Sequence, residues 1–309
     1  MKPNYKSKDI RLCSSTAISM KIYIRCLLLI LFTNSAFSVR AQYFTSTIIG
    51  GNDTATTFMD GIPATNAAIM GSAIAVDAAG NVYFLQDYRI RKISAATGIV
   101  STIAGTGSAG FSGDGGPATS AQFDCSLISG QYGGLYSDPI GNIYLADYNN
   151  NRIRKINAAT HIITTVAGGG TGGLGDGGPA TNATVGAPHA VTFDAPGNMY
   201  IAGGDYRVRK VNTSGIINTV AGTGIGVIGF SGDGGPALSA DLGSDVFDLK
   251  VDGSGILYIN DWSNHRIRKV EAATGIITTV AGNGTMGGSC PDFTPATSCI
   301  FLLLLRNCC

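Results

Sequence analysis

Short runs of apolar residues, separated by turn residues, recur along most of the chain. In the first clear unit these runs lie at 73–76, 82–85, 89–93 and 99–104. They are rich in Val, Ile, Tyr and Phe, residues that favour β-strands. The intervening turns are too short to carry a crossover connection, so neighbouring strands are expected to pair antiparallel. The pattern predicts a sheet of four strands, named A to D in chain order.

The same unit occurs four times, marked by short motifs in a fixed order. G-N-x-Y lies at 80–83, 141–144 and 197–200, and with Ile256 in place of Asn at 255–258. R-x-R-K follows at 89–92, 152–155, 207–210 and 266–269, at spacings of 63, 55 and 59 residues. T-x-A-G comes next, at 102–105, 165–168, 219–222 and 279–282. G-D-G-G-P-A completes the unit at 113–118, 175–180 and 232–237, with a weaker copy at 60–65. A four-stranded antiparallel sheet repeated in this way predicts an all-β fold, a β-propeller of four complete blades.

Two segments carry a further likeness. At 144–156 and 258–270 an aromatic strand, an Asp-containing turn and an Asn-x-Arg-Ile entry into the next strand follow one another. These segments resemble the signature run of the NHL-repeat β-propellers, and the G-D-G-G-P-A linker is similar to that of the secreted bacterial members. The resemblance covers residues 45–287. It implies a fold rather than one function, because that family includes secreted proteins, sensor domains and binding modules.

The repeat departs from a closed ring at both ends. The resemblance implies about six blades in a ring, whereas this chain has four and an additional D-like strand at 45–49. After Gly287 the register is lost through 288–309, although 295–297 still read Pro-Ala-Thr. We therefore expect an open or incomplete version of a larger ring, whose uncovered blade edges favour self-association. Whether the tail at 288–309 is a diverged, truncated or frameshifted continuation stays open.

The N-terminal region predicts export. Residues 20–41 contain a basic start with Lys21 and Arg25, an apolar run at 26–32 and Ala41 before Gln42, which is the order of a signal peptide. The apolar run is too short to span a membrane, so no span is expected after cleavage. This predicts an upstream extension and signal peptide at 1–41, a propeller at 42–287 and an atypical tail at 288–309. The expected location is extracellular or periplasmic, and translation from either Met1 or Met20 remains open.

The charge of the chain bears on the kind of partner it can bind. From Gln42 onward the chain has 14 basic and 19 acidic residues, a net charge of −5, which disfavours a nucleic-acid partner. Twelve of those 14 basic residues belong to the four R-x-R-K motifs. Because they alternate with Ile or Val, we expect their stems to line a surface between blades while their charged heads extend into water.

Candidate chemistry is sparse. The G-x-G-x-x-G run at 105–110 recurs at 282–287 and no helix is expected after it, so no nucleotide cofactor is predicted. His161, His189 and His265 occupy different positions of the blade, and the sole glutamate, Glu271, falls in a C–D turn. We therefore expect no catalytic residue, no metal and no cofactor. The alternative is a propeller enzyme of the lyase or lactonase type, with a metal in the central channel.

One repeated pair of residues is a candidate for binding. An acidic and an aromatic residue follow strand B in every unit: Asp87 and Tyr88, Asp147 and Tyr148, Asp205 and Tyr206, Asp261 and Trp262. The aspartates either lock the turns through backbone N–H groups and the adjacent Arg, or form a ligand site. Antiparallel pairing places the B–C turns on the same face as the long D–A loops, so this face is the expected site for a protein or carbohydrate partner.

The long loops add further apolar side chains to that face: Phe111, Phe123, Tyr132, Phe230 and Leu242. Two interpretations of these residues remain open. They contact the partner, or they pack the loops onto the blades.

Overall fold

The computed structural model of the protein describes residues 59–69, 71, 73–127, 130–131, 134–225, 229–286 and 294–298. The predicted signal peptide, the strand expected at 45–49 and most of the 288–309 tail lie outside these residues. The described part of the chain consists of β-strands, short 3₁₀ turns and loops. None of its helical segments is long and apolar enough to cross a membrane.

Sixteen of the described strands form four sheets of four strands. Blade 1 contains β1 (Ile74–Val76), β2 (Val82–Gln86), β3 (Arg89–Ile93) and β4 (Val100–Ala104). Two short strands, β5 (Ser126–Leu127) and β6 (Gly130–Gln131), pair with each other in the next loop. Blade 2 contains β7 (Leu135–Ser137), β8 (Ile143–Asp147), β9 (Arg152–Ile156) and β10 (Ile163–Gly168). Blade 3 contains β11 (Pro188–Phe193), β12 (Met199–Gly203), β13 (Val208–Val211) and β14 (Ile217–Ala221). Blade 4 contains β15 (Val246–Val251), β16 (Leu257–Asp261), β17 (Arg266–Val270) and β18 (Ile277–Ala281).

Strands within each blade pair antiparallel in chain order, which confirms the predicted A-to-D arrangement. Short turns with a repeated lock join strands A and B. In the first of them, the Asp77 carboxylate accepts hydrogen bonds from the Asn81 amide group at 2.7 Å and from the Tyr83 hydroxyl at 2.9 Å. The same lock recurs in blades 2 and 3. The G-N-x-Y motif is thus the structural signature of this turn.

Apolar side chains pack between successive blades. One buried cluster joins blade 1 to blade 2 and includes Leu85, Ile90, Ile143 and Ile163. Two equivalent clusters join blade 2 to blade 3 and blade 3 to blade 4. A fourth covers the other side of blade 1 with residues from the 62–69 segment. In the described ranges no buried cluster joins blade 4 to blade 1.

One face of blade 4 is less buried than the matching faces of the other blades. On the face that meets the next blade, each blade carries a facing pair from strands B and C: Leu85 and Ile90, Ala146 and Ile153, Ala202 and Val208, Asn260 and Ile267. The first three pairs are fully buried. The blade 4 pair is only half-buried. The described residues therefore leave this face of blade 4 partly uncovered.

Each G-D-G-G-P-A loop lies on the blade that follows it. Its proline forms an antiparallel bridge with the residue just before the outer strand of that blade, as between Pro117 and Ile162. The next residue, Ala118, starts a 3₁₀ turn, and its carbonyl accepts a hydrogen bond at 2.9 Å from Gly105, just after β4. The 60–65 copy lies on blade 1 in the same way. At the other end of the described chain, Ala296 accepts the equivalent bond from Gly282.

Ion pairs between a buried arginine and a partly exposed aspartate fix these loops to the blades. Arg154, the second arginine of its motif, has a fully buried side chain and pairs with Asp114 of the preceding loop at 2.8 Å. The same pairing joins Arg91 to Asp60, Arg209 to Asp176, and Arg268 to Asp233. The expectation that the charged heads of R-x-R-K extend into water is therefore wrong for these arginines. Each head lies between a blade and the loop before it, where an acidic partner offsets the cost of removing the charge from water.

Candidate functional site

The B–C turns and the D–A loops share one face of the blades, as predicted. In blade 2 the backbone N–H of Asn149 donates to the carbonyl of Asp124 at 2.9 Å, and in blade 4 the N–H of Trp262 donates to the carbonyl of Asp245 at 3.1 Å. Each bond joins a B–C turn to the loop that enters strand A of the same blade. We call this side of the molecule the turn face.

Two of the four predicted aspartates are turn locks. Asp147 and Asp261 end β8 and β16 and are fully buried. The Asp147 carboxylate accepts hydrogen bonds from the Asn150 amide at 2.8 Å and from Arg154 at 3.2 Å. Burial raises the pKa of Asp147 to about 6, although the Arg154 charge and the hydrogen bonds oppose that rise. Asp261 makes matching contacts with Asn264 and Arg268. These contacts leave both carboxylates facing the protein interior.

The other two aspartates are not equivalent to these. In blade 1 the B–C turn has only two residues, Asp87 and Tyr88, both with positive φ. Gln86 occupies the strand position that Asp147 holds in blade 2, because it pairs with the first arginine of its motif. In blade 3, Asp205 and Tyr206 also lie within the turn, and burial raises the pKa of Asp205. The repeated spacing therefore does not place four like pairs at four like positions.

Aromatic side chains instead form a continuous row across three blades on the turn face. The ring of Tyr148 in blade 2 lies 4.8 Å from that of His189 in β11, which lies 4.8 Å from Phe247 in β15. Phe247 in turn lies 5.2 Å from Trp262, and Trp262 lies 6.3 Å from His265. These five residues are the aromatic row. The row contains two predicted binding residues, Tyr148 and Trp262, and three that the repeat pattern did not indicate.

Asp245 lies beside the aromatic row. Its side chain is 35% exposed, and one carboxylate oxygen is 3.8 Å from Nε2 of His189. The other oxygen accepts hydrogen bonds from the hydroxyls of Ser244 and Ser263, each at 3.0 Å. Burial raises the pKa of the Tyr148 hydroxyl, and the Asp245 charge raises it further. The aromatic row, four half-buried rings and the buried His189, thus lies beside one partly exposed carboxylate.

His189 is held in its neutral form. It is 4% exposed, and burial lowers its pKa to about 4, against the weaker opposite effect of the Asp245 charge. An exposed histidine has a pKa near 6.5, so the unfolded chain binds a proton between about pH 6.5 and pH 4 that the folded protein does not. Stability from this residue is fully present above that range and is lost as the pH falls through it.

We expect the free energy of unfolding to fall by up to about 3 kcal/mol from this cause when the pH drops from about 7 to about 4. Urea denaturation at a series of pH values measures the effect. His189→Gln should remove this part of the pH dependence, since glutamine does not titrate. His161→Asn, at an exposed position in a C–D turn, is the control and should retain it. Equal pH dependence in wild type and His189→Gln would contradict the assignment.

The apolar residues of the long loops contact the blades. Phe123 and Leu242 are buried in the clusters between blades. Phe111 lies under the guanidinium of Arg152 at 4.0 Å, and Phe230 lies under that of Arg266 at 3.8 Å. Tyr132 is outside the described residues. The packing interpretation is confirmed for Phe123 and Leu242, whereas Phe111 contacts Arg152 and stays 44% exposed.

The glycine-rich runs also have a structural explanation. Gly107 has φ +89, and a Cβ at this position would overlap the guanidinium of Arg89. That guanidinium donates a hydrogen bond at 2.8 Å to the carbonyl of Thr106. Gly284 lies beneath Arg266 in the same manner. In the run that resembles a dinucleotide motif, glycine thus leaves room for an arginine side chain of the same blade. Within the described ranges no group of three His, Cys, Asp or Glu side chains converges as a metal site would require.

Comparison with known proteins supports the fold. No protein-family model matches the chain. Its sequence is 28% identical over 144 residues to chicken teneurin-1 and 35% identical over 103 residues to mouse teneurin-4. These matches cover 42% and 29% of this chain, but only 5% and 4% of those much longer proteins.

Two solved structures from Bacteroides species resemble part of this chain. A Bacteroides thetaiotaomicron protein of unknown function matches with a TM-score of 0.50 and 23% identity, over 64% of this chain and 46% of that one. An auxiliary nutrient binding protein from Bacteroides ovatus matches with a TM-score of 0.48 and 18% identity, over 69% and 49%. The chain thus spans about half the length of these structures, and its described part has the fold of a β-propeller.

Proposed function

We propose that the protein is a secreted, non-catalytic propeller of the NHL type that binds a protein or carbohydrate partner through the aromatic row. The observation that carries this proposal is the row itself, which continues from Tyr148 to His265 across three blades. Aromatic side chains with an apolar body and a polar edge are enriched where proteins bind partners. The loop residues Phe111, Phe123 and Phe230 instead contact the blades.

The elements that hold the row make it suitable for recognition. His189 and Phe247 belong to strands, and Tyr148 and Trp262 belong to short 3₁₀ turns fixed by the buried aspartates. Rings held in this way lose little conformational entropy on binding. The predicted signal at 20–41 supports an extracellular or periplasmic location. The partly uncovered face of blade 4 supports self-association, and 42–287 is the proposed binding unit.

Replacing both Tyr148 and Trp262 by Ala should weaken binding at least about tenfold, because clustered aromatic anchors contribute most of the binding energy of an interface. A glycan array and a displayed peptide library, each probed with the purified chain, supply the ligands. Binding is then measured by surface plasmon resonance on the best glycan or peptide. Tyr206→Ala is the matched control, since Tyr206 lies in a B–C turn outside the row.

The thermal transition of each variant must stay close to that of wild type for this result to count. A double variant that unfolds early would show that the rings stabilise the fold, and unchanged binding would remove them from the site. Metal analysis of the purified protein tests the enzyme alternative. One divalent ion per chain, retained through dialysis, would favour the enzyme.

A further inference from the structure

We infer that the aromatic row and Asp245 bind an organic cation, an alkylammonium or guanidinium group. This inference rests on the proposed function and names the ligand chemistry of the same surface. Three observations support it: the charge of Asp245, the rings around it, and the way the chain uses its own cations elsewhere.

The Asp245 carboxylate carries a charge that no nearby basic residue offsets. Among the described residues, no Lys or Arg lies within 4 Å of it, and its contacts are two serine hydroxyls and a histidine. That histidine, His189, is held neutral by burial. The nearest lysine along β15, Lys250, pairs with Asp248 at 3.2 Å. A partly exposed carboxylate in this setting attracts a positive charge from outside the chain.

The surrounding rings favour the same charge. The face of an aromatic ring is electrically negative, so it attracts ammonium and guanidinium groups within about 6 Å. Elsewhere a basic side chain of the protein itself lies over such a ring. The Lys155 ammonium, for example, is 5.7 Å from the centre of the Tyr144 ring. In the described part of the chain, no Lys or Arg lies over the ring of Tyr148 or Trp262. Rings and a carboxylate together form the chemistry that recognises an organic cation.

A neutral sugar fits this chemistry less completely. Its hydroxyl groups can donate to the Asp245 carboxylate, one oxygen of which already accepts from the hydroxyls of Ser244 and Ser263. They do not offset the negative charge or interact with the ring quadrupoles as a cation does. The observations thus favour a positively charged group, supplied by a free small molecule or by a Lys or Arg side chain of a partner protein.

Trp262 provides a direct measurement, because it is the sole tryptophan of the chain. We propose to titrate the full-length protein with choline and with 3,3-dimethylbutan-1-ol, its neutral isostere, while recording tryptophan fluorescence. Choline should bind with a millimolar Kd, and the isostere about tenfold more weakly or not at all, since only choline carries the charge. N-acetyl-lysine amide and N-acetyl-arginine amide test the side-chain source in parallel.

Asp245→Asn keeps the size and most hydrogen bonds of the carboxylate and removes its charge. It should lower the affinity for the cations about tenfold and leave the response to the isostere unchanged. Glu271→Gln is the matched control: it removes one negative charge in a C–D turn, on the opposite face, and should leave cation binding as in wild type. Tighter binding of choline than of the amides would indicate a free ligand, and the reverse a partner side chain.

Equal binding of choline and the isostere, or undiminished cation binding by Asp245→Asn, would overturn the inference. So would a complete lack of response to all three cations. If a glycan or an uncharged peptide then bound through Tyr148 and Trp262, the proposed function would stand without its cationic ligand. If the double Ala variant also bound every partner as wild type does, both proposals would fail.

Discussion

Replacing Arg154 by Met is expected to lower the free energy of unfolding by about 3–5 kcal/mol. The Arg154 guanidinium lies 2.8 Å from a carboxylate oxygen of Asp114 and 3.2 Å from one of Asp147. It also donates to the carbonyls of Ser112 at 3.0 Å and Gln122 at 3.4 Å. Its removal leaves the fully buried Asp147 without its counter-charge and frees the 112–122 loop from blade 2. Urea denaturation followed by circular dichroism measures the loss.

Two further variants separate the ion pair from general packing. Arg152→Met changes the first arginine of the same motif, which is half-buried and lies over Phe111, and should cost less than about 1 kcal/mol. Adding Asp147→Asn to Arg154→Met should restore part of the lost stability, because an amide needs no counter-charge. Equal losses for the two arginines, or no rescue by Asn, would show that burial of the ion pair is not what stabilises the loop.

Gly168→Ala should lower the free energy of unfolding by more than about 3 kcal/mol. Gly168 ends β10 with φ +84, and a Cβ there would overlap the carbonyl oxygen of Asn151. The substitution therefore places alanine in the left-handed backbone region and also brings its Cβ into collision with main-chain atoms. These atoms cannot move aside as the end of a flexible side chain can. Denaturation in urea gives the size of the effect.

Gly177→Ala provides the control for backbone conformation alone. Gly177 has φ +80 in the following loop, and no atom lies within 4 Å of where its Cβ would be. Alanine there should cost only about 1–2 kcal/mol, the usual penalty of the left-handed region. If both variants lost the same stability, the close approach of Gly168 to Asn151 would have no energetic importance.

The blades could be predicted because their information is local. Each strand is a short apolar run, and each turn carries its own acceptor, as Asp77 does for Asn81 only four residues later. Four copies of this local pattern make the assignment secure. The observed strand β3 (Arg89–Ile93) coincides with the expected run at 89–93, and the other strands of blade 1 differ from the expected runs by one residue at either end.

The site could be predicted only in part, because it depends on contacts between distant segments. Tyr148 and Trp262 follow the repeat, but His189 and Phe247 enter from strands A of the next blades and belong to no repeated motif. The turn residues Asp87 and Asp205 share a sequence pattern with Asp147 without sharing its position. The turn of blade 1 is two residues shorter, and in blade 3 the strand ends at Gly203, two residues before Asp205. Burial of the second arginine in each R-x-R-K motif could not be predicted from the local pattern either, because it depends on a loop from the preceding unit.

The two partners of each ion pair between a loop and a blade come in the same order along the chain. In every case the aspartate precedes its arginine, by 31 residues from Asp60 to Arg91 and by 40 from Asp114 to Arg154. During synthesis, the acidic loop is therefore complete before the strand that needs it leaves the ribosome. None of these four arginines has to wait for a later segment to supply its carboxylate, so each new blade can close onto a loop already made. The repeat is thus arranged for folding from the N-terminus towards the C-terminus, one blade at a time.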